Sequence, residues 1–145
     1  MNILKKTEKY ITKSYTETYE LAKKFVKTLK ENDIVTLYGD LGAGKTCFTN
    51  GMLYGLGFLE GGSSPTFTIV NQYPSTPKVN HFDLYRISDE DELYDIGFTE
   101  YLIDGSINII EWPEKAFSLL DNFNLIKVTV SFTENDDERI ITIER

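Results

Sequence analysis

The chain has 145 residues, of which 41% are hydrophobic and 13% aromatic, so it is long and apolar enough to form a globular core. Its net charge of −8 argues against sequence-independent binding of nucleic acid, because such binding needs a cationic surface. With one cysteine and one histidine, the sequence excludes an internal disulfide and a structural zinc site.

No stretch stays apolar over the roughly 20 residues that a membrane-spanning helix needs. The N-terminus, Met1 to Lys6, runs into charges rather than an apolar segment, which is unlike a secretory signal. We therefore expect a cytoplasmic protein without a membrane association. No linker or internal repeat divides the sequence, and residues 1–145 are expected to form a single domain.

The N-terminal part predicts a short strand at residues 9–11, followed by a helix. Ser14 and Glu17 have the spacing of a capping box, which opens a helix. Apolar residues at helical spacing then predict one buried face: Thr18, Leu21, Ala22, Phe25, Val26 and Leu29.

The next stretch predicts a buried strand, a glycine-rich loop and a second helix. Residues 34–38 are apolar and β-branched, which is typical of a buried strand. Residues 39–46, Gly-Asp-Leu-Gly-Ala-Gly-Lys-Thr, fit the phosphate-binding pattern G-x-x-x-x-G-K-[ST]. Apolar residues at helical spacing follow as far as Gly57, a predicted stop. The order of strand, loop and helix is the one that this motif requires.

The residue types of the loop suit a nucleotide triphosphate. Backbone N–H groups of Leu41 to Gly44 and the N-terminus of the helix can cradle a phosphate, which the glycines allow to approach closely. Lys45 supplies a flexible positive charge for the β- and γ-phosphates, and Thr46 a hydroxyl for Mg²⁺. The alternative is a glycine-rich turn before a helix that binds no ligand.

The remaining sequence predicts further strands and a hairpin. Residues 66–73 and 78–83 read as an antiparallel pair, because the connection is too short for a parallel crossover. Residues 89–94 suggest a short helix, and residues 107–111 a buried strand. Alternating residues at 126–132 and 139–144, separated by an acidic turn, predict a C-terminal β-hairpin. We expect an α/β fold with a mixed parallel and antiparallel sheet.

Two carboxylates end predicted strands and could complete the site. Glu111 ends the more apolar strand and is favoured as the second ligand of Mg²⁺, directly or through water, if its strand is adjacent to the loop strand. Asp83 could then orient the attacking water or a metal-bound one. Either could instead be a solvated carboxylate at a strand end.

Three other residues have both a functional and a purely structural interpretation. Thr66, in Ser64-Pro65-Thr66-Phe67, could contact the γ-phosphate as residues of switch loops do, or simply start a strand. His81 is more often packed or solvated than catalytic. Trp112 could fill the core or contact the site.

The nucleotide is expected to be ATP. A guanine-specific site would show an Asn/Thr-Lys-x-Asp element after a later strand, and none is present. The adenine is expected near Tyr15, at the start of the first helix.

Four motifs in order and spacing resemble the TsaE family, small bacterial P-loop ATPases of the system that makes threonylcarbamoyladenosine in tRNA. They are residues 39–46, residues 64–67, His81-Phe82-Asp83-Leu84-Tyr85-Arg86 and Ile109-Ile110-Glu111-Trp112-Pro113. The resemblance spans nearly the whole chain. It implies a three-layer P-loop NTPase fold and weak ATPase activity in the cytoplasm.

The resemblance also implies partners and roles. Such proteins act on a complex of transferase subunits that modifies position 37 of tRNAs reading codons that start with A. It implies that Thr46 and Glu111 hold Mg²⁺, that Asp83 and Thr66 lie at the γ-phosphate, and that Tyr15 lies near the base. Direct contact with tRNA is not expected from the acidic charge.

The sequence holds only three arginines, and Arg86 is the only one near the motifs. Since phosphoryl transfer commonly uses an arginine finger, this scarcity predicts a slow enzyme that awaits a group from a partner. The alternatives are a small-molecule or nucleotide kinase, which usually needs several arginines and a lid, and a nucleotide-gated assembly module that does not hydrolyse ATP.

Overall fold

The structure is a computed structural model, and it describes residues 6–40, 42–58 and 69–145. One mixed sheet contains all the strands of this part of the chain. The strands are β1 (Thr7–Thr12), β2 (Ile34–Tyr38), β3 (Val70–Tyr73), β4 (Val79–Asp83), β5 (Ile107–Glu111), β6 (Ile126–Phe132) and β7 (Arg139–Glu144). The helices are α1 (Tyr15–Val26), α2 (Lys45–Gly55), α3 (Asp91–Asp95), α4 (Phe98–Tyr101) and α5 (Phe117–Leu120), with a 3-10 turn at Pro113–Ala116.

The strand order across the sheet is β1-β7-β6-β2-β5-β4-β3. Strand β2 is parallel to both neighbours, β5 and β6, and β5 is parallel to β4. The outer pairs are antiparallel: β3 with β4, β6 with β7 and β7 with β1. The mixed sheet, the β3–β4 pair and the C-terminal hairpin are therefore confirmed.

Two hydrophobic cores cover the two faces of the sheet, which gives the three expected layers. On one face α1 and α2 pack over residues such as Val35, Leu37 and Ile109. On the other face the short helices α3, α4 and α5 surround Ile34, Phe82 and Ile110. The alternation of side chains along each strand assigns them to these two faces.

Helix α1 begins as its sequence predicts, since the Ser14 hydroxyl accepts from the Glu17 N–H at 3.1 Å. It ends at Val26, one turn earlier than the apolar pattern suggested, so Leu29 lies beyond the helix. The short helices α4 and α5 were not predicted, because one helical turn leaves no periodic signal.

Helices α1 and α2 touch through glycine. A Cβ atom at Gly51 would lie 2.5 Å from the Tyr19 carbonyl oxygen and 2.8 Å from the Ala22 Cβ. A Cβ atom at Gly55 would lie 2.7 Å from a Val26 methyl group. The two helices can approach this closely only because both α2 positions lack a side chain.

Candidate functional site

A cavity of about 550 Å³ lies where β2 ends and α2 begins. Its floor is the glycine-rich loop and the first turn of α2, residues 42–47. We call Asp83, Tyr85, Glu111 and Trp112 the β4–β5 wall, and Asp136, Asp137 and Arg139 the hairpin wall. Helix α1 adds Ser14, Tyr15 and Thr18. The two walls stand on opposite sides of β2 in the sheet order.

The loop has the backbone that its glycines predict. Gly42 has φ = 82° and Gly44 has φ = 119°, in the left-handed region that favours glycine. Helix α2 starts at Lys45, immediately after Gly44. The N-terminal N–H groups of this eleven-residue helix therefore start at the cavity, which suits a negatively charged ligand.

Lys45 rests on the indole ring of the β4–β5 wall. Its side chain is buried, and the Nζ atom lies 3.9 Å from the centre of the Trp112 ring, a cation–π distance. Trp112 itself has φ = 59° and ψ = 50°, a strained conformation for a bulky residue. Trp112 comes directly after β5, and its ring contacts both Lys45 and Tyr85. The centres of the Trp112 and Tyr85 rings are 4.9 Å apart.

The two predicted carboxylates are register neighbours. Glu111 ends β5, which pairs with β2 as its proposed role requires, and it lies beside Asp83 of β4. Glu111 is buried, whereas Asp83 is half-buried and accepts from the Tyr85 N–H at 3.1 Å. Both carboxylates line the same cavity as the loop.

Glu111 has a buried partner that the sequence reading did not identify. The Nε2 atom of His81 lies 2.7 Å from Glu111 Oε2, and both side chains are buried. A carboxylate oxygen accepts hydrogen bonds, so Nε2 donates in the tautomer that carries its hydrogen on this atom. His81 is thus packed, and it also fixes one oxygen of Glu111. Period-two alternation along β4 places His81 on the same face as Asp83, which was the available signal.

Tyr15 lies at the α1 side of the cavity and keeps an exposed ring, stacked on Tyr19 at 6.2 Å. Partial burial raises the pKa of the Tyr15 hydroxyl. The thiol of Cys47 packs beneath, 3.4 Å from the Tyr15 carbonyl oxygen, and its burial raises its pKa. Cys47 is therefore a small packed residue in the first turn of α2.

Arg139 is the site residue that the sequence reading missed. Its Nε–H donates to the carbonyl oxygen of Ala43 in the loop at 2.8 Å, across 96 positions of sequence. The interpretation that Arg86 is the only arginine near the motifs is therefore wrong. No local pattern marks Arg139, since it starts an alternating strand at the sheet's outer hairpin.

Two predicted residues, Leu41 and Thr66, lie outside the described residues, as does the rest of the 64–67 motif. The structure brings the other predicted site residues to one cavity: Tyr15, Gly42, Ala43, Gly44, Lys45, Thr46, Asp83, Glu111 and Trp112.

Comparison with known proteins gives a family and a structural neighbour. The family model described as threonylcarbamoyl adenosine biosynthesis protein TsaE matches residues 12–141. Proteins named tRNA threonylcarbamoyladenosine biosynthesis protein TsaE are similar: one from Rickettsia prowazekii is 42% identical over 89% of each chain. One from Bacillus subtilis is 38% identical over 92% of this chain and 83% of its own.

The crystal structure of Bacillus subtilis YdiB is similar in fold. It superposes with a TM-score of 0.78 at 31% identity, covering 99% of this chain and 88% of that one. This neighbour agrees with the mixed sheet and its helices described above.

Proposed function

Because the chain belongs to the TsaE family, whose members take part in threonylcarbamoyladenosine biosynthesis for tRNA, we propose that it is a Mg²⁺-dependent ATPase of that system. The observation that carries the proposal is the shared cavity of the phosphate loop and two register-paired carboxylates. A phosphate loop beside strand-end carboxylates is the arrangement that phosphoryl transfer from ATP requires.

The residues present fit Mg²⁺ held together with a nucleotide. The described residues contain no group of three or more His, Cys, Asp or Glu side chains that could hold a metal alone. Mg²⁺ is usually bound by one or two carboxylates together with phosphates, and Thr46 and Glu111 offer the hard oxygen atoms it prefers. Bound Mg²⁺ would neutralise charge on the phosphates. In this proposal His81 holds Glu111 in place, and Asp83 orients water.

In this proposal the loop binds the phosphates through Gly42, Ala43, Gly44 and Lys45, and the base lies near Tyr15. Leu41 and Thr66 keep the roles expected from the sequence. Lys45 would leave or share its contact with Trp112 when phosphates arrive, since both lie within the cavity.

We expect the isolated protein to be slow, because its arginines are already engaged. Arg139 donates to backbone carbonyls, and Arg145 donates to the Thr28 hydroxyl. Arg86 also has an interaction partner. An arginine finger contributes about 10³ to 10⁵ in rate, so a partner subunit that supplied one would strongly activate hydrolysis.

The proposed partners are the transferase subunits of the threonylcarbamoyladenosine complex, which modifies position 37 of tRNAs reading codons that start with A. The net charge of −8 disfavours direct contact with tRNA. The proposed location is the cytoplasm. Among residues 6–40, 42–58 and 69–145, no helix has the length and hydropathy of a membrane span.

The test is ATP turnover of the purified protein with and without those subunits. We expect slow hydrolysis alone, dependence on Mg²⁺, and a large increase with the complex. A protein that hydrolyses on the order of tens of ATP per second unaided would contradict partner activation. Phosphoryl transfer to a small acceptor would favour the kinase alternative instead.

A further inference from the structure

The C-terminal hairpin packs directly against the phosphate loop. A Cβ atom at Gly39 would lie 2.5 Å from the Val130 carbonyl oxygen, so the start of the loop touches the backbone of β6. A Cβ atom at Gly44 would lie 3.5 Å from a Val130 methyl group. Strand β6 therefore supports the loop at both ends of its glycine-rich segment.

Arg139 adds a directed contact from the same hairpin. Its Nε–H donates to the Ala43 carbonyl, while Nη1 donates to the carbonyls of Asp136 and Glu138. The guanidinium carbon lies 4.8 Å from the centre of the Phe132 ring. Three of these four contacts fix the guanidinium to its own hairpin, which leaves Nε aimed at the loop. Such a planar group presents its donors in a rigid arrangement.

The contact between Arg139 and the Ala43 carbonyl also constrains the direction of the Gly44 N–H. The Ala43 carbonyl and the Gly44 N–H belong to the same planar trans peptide, so they point in opposite directions. Fixing the carbonyl toward Arg139 fixes the Gly44 N–H away from it. Glycine permits this peptide to rotate at little cost, because Gly44 has no Cβ to restrict φ.

From this geometry we propose that Arg139 is a positioning residue that holds the Ala43–Gly44 peptide in its phosphate-binding orientation. The inference rests on the proposed function, because it assumes that the loop binds phosphates. It assigns the hairpin a role in binding, namely preorganisation of the anion-binding N–H groups. The positive charge of Arg139 is not what the proposal requires; the direction of its Nε–H is.

Replacing Arg139 by lysine or glutamine distinguishes the effect of the Nε–H direction from the effect of the positive charge. Arg139→Lys keeps the charge but loses the planar fork, and Arg139→Gln loses both. The matched control is Arg145→Gln at the far end of β7. Like Arg139, Arg145 donates a hydrogen bond and lies over an aromatic ring. Its acceptor is the Thr28 hydroxyl and its ring is that of Phe25, and Arg145 does not line the cavity.

Binding of ATP, ADP and AMP with Mg²⁺ is measured by calorimetry. We expect both Arg139 variants to bind ATP and ADP about tenfold more weakly, as loss of one charge-assisted hydrogen bond implies. AMP affinity is expected to change less than twofold, and Arg145→Gln to bind ATP within about twofold of the unmodified chain. Thermal melting confirms that each variant is folded, and Arg139→Lys serves if Arg139→Gln does not fold.

A second measurement needs no ligand. The Ala43 N–H donates to the Asp40 carbonyl at 3.0 Å within the loop, so its hydrogen exchange by NMR reports on loop order. We expect at least a fivefold faster exchange of this amide in both Arg139 variants and an unchanged rate in Arg145→Gln.

Wild-type ATP affinity and wild-type exchange in Arg139→Lys would overturn the inference, since charge alone would then suffice. An equal loss in Arg145→Gln would also overturn it, because the effect would be one of general hairpin stability. If the unmodified chain bound no ATP, the proposed function would fail, and the exchange measurement would still decide whether Arg139 orders the loop.

Discussion

The two walls of the cavity differ in how they are built. The β4–β5 wall lies at the ends of parallel strands, and its Glu111 carboxylate is buried and hydrogen-bonded to His81. The hairpin wall belongs to an antiparallel pair, and its acidic side chains, Asp136 and Asp137, are exposed at a turn. Its arginine points at the loop backbone.

The difference separates two tasks. A buried carboxylate held by a neighbour is suited to act on a metal or a water, because it keeps one orientation. An arginine bonded to a loop carbonyl is suited to hold the loop that binds the ligand. We therefore expect changes in the β4–β5 wall to affect turnover most, and changes in the hairpin wall to affect affinity and loop order.

The largest expected effect is on ATP turnover, and it is tested by the same Asp-to-Asn substitution in each wall. Asp83→Asn should lower ATP hydrolysis by about a hundredfold or more, as loss of a group that orients water does, while ATP affinity changes less than about threefold. The matched change Asp137→Asn should alter turnover by less than about threefold. Steady-state turnover and calorimetry check both. Equal losses of turnover and affinity in Asp83→Asn would favour a module that binds without hydrolysing.

The next effect tests the contact between the hairpin and the loop. Gly39→Ala should destabilise the fold by about 2–4 kcal/mol, because the new methyl group would overlap the Val130 carbonyl at a backbone φ of 151°. Gly57→Ala is the control, with φ = 101° and, among the described residues beyond its chain neighbours, no atom within 4 Å of an added Cβ. It should cost only about 1–2 kcal/mol from the backbone alone.

Urea unfolding measures the two free energies. Equal losses in both glycine variants would show that the hairpin does not press on the loop. The hairpin wall would then not support the phosphate loop through the contact between Gly39 and Val130.

A smaller effect concerns the buried pair of the β4–β5 wall. His81→Leu should lower the free energy of unfolding by about 1–3 kcal/mol, because it removes the donor to a buried Glu111 oxygen. A double-mutant cycle with Glu111→Gln isolates the pairwise coupling. A loss in His81→Leu of less than about 0.5 kcal/mol would mean that water replaces the histidine and that the pair does not fix Glu111.

The smallest effect is spectroscopic. Trp112 is the only tryptophan, and its ring lies against Lys45 Nζ, so Mg-ATP should change its emission when Lys45 turns toward phosphates. Lys45→Met should abolish this response. A flat titration, with binding established by calorimetry, would show that Lys45 keeps its contact with Trp112 in the complex.

The β4–β5 wall was accessible to sequence reasoning because its signals are local. Glycine spacing identified the loop, and apolar runs that end in carboxylates identified Asp83 and Glu111. Parallel strands end at the same edge of a sheet, so the motifs converge there without knowledge of the tertiary structure. The contact between His81 and Glu111 was not predicted, because strand order decides which side chains become neighbours.

The hairpin wall could not be read in this way. Alternation predicted the hairpin itself, but it does not specify which strand lies beside it. The location of β6 next to β2 brings Arg139 to Ala43. A contact across so long a separation leaves no periodic pattern in the sequence, so sequence spacing indicates Arg86 and does not indicate Arg139.

The glycine contact between α1 and α2 has a consequence at the N-terminal ends of both helices. Helix α1 begins with Tyr15 and α2 with Lys45, and both residues border the cavity. A larger residue at Gly51 or Gly55 would push the helix axes apart, and the two helix starts would separate with them. The distance between the Tyr15 ring and the Lys45 ammonium group therefore depends on the absence of side chains at these two glycines. That distance in turn limits the length of a molecule that can contact both groups.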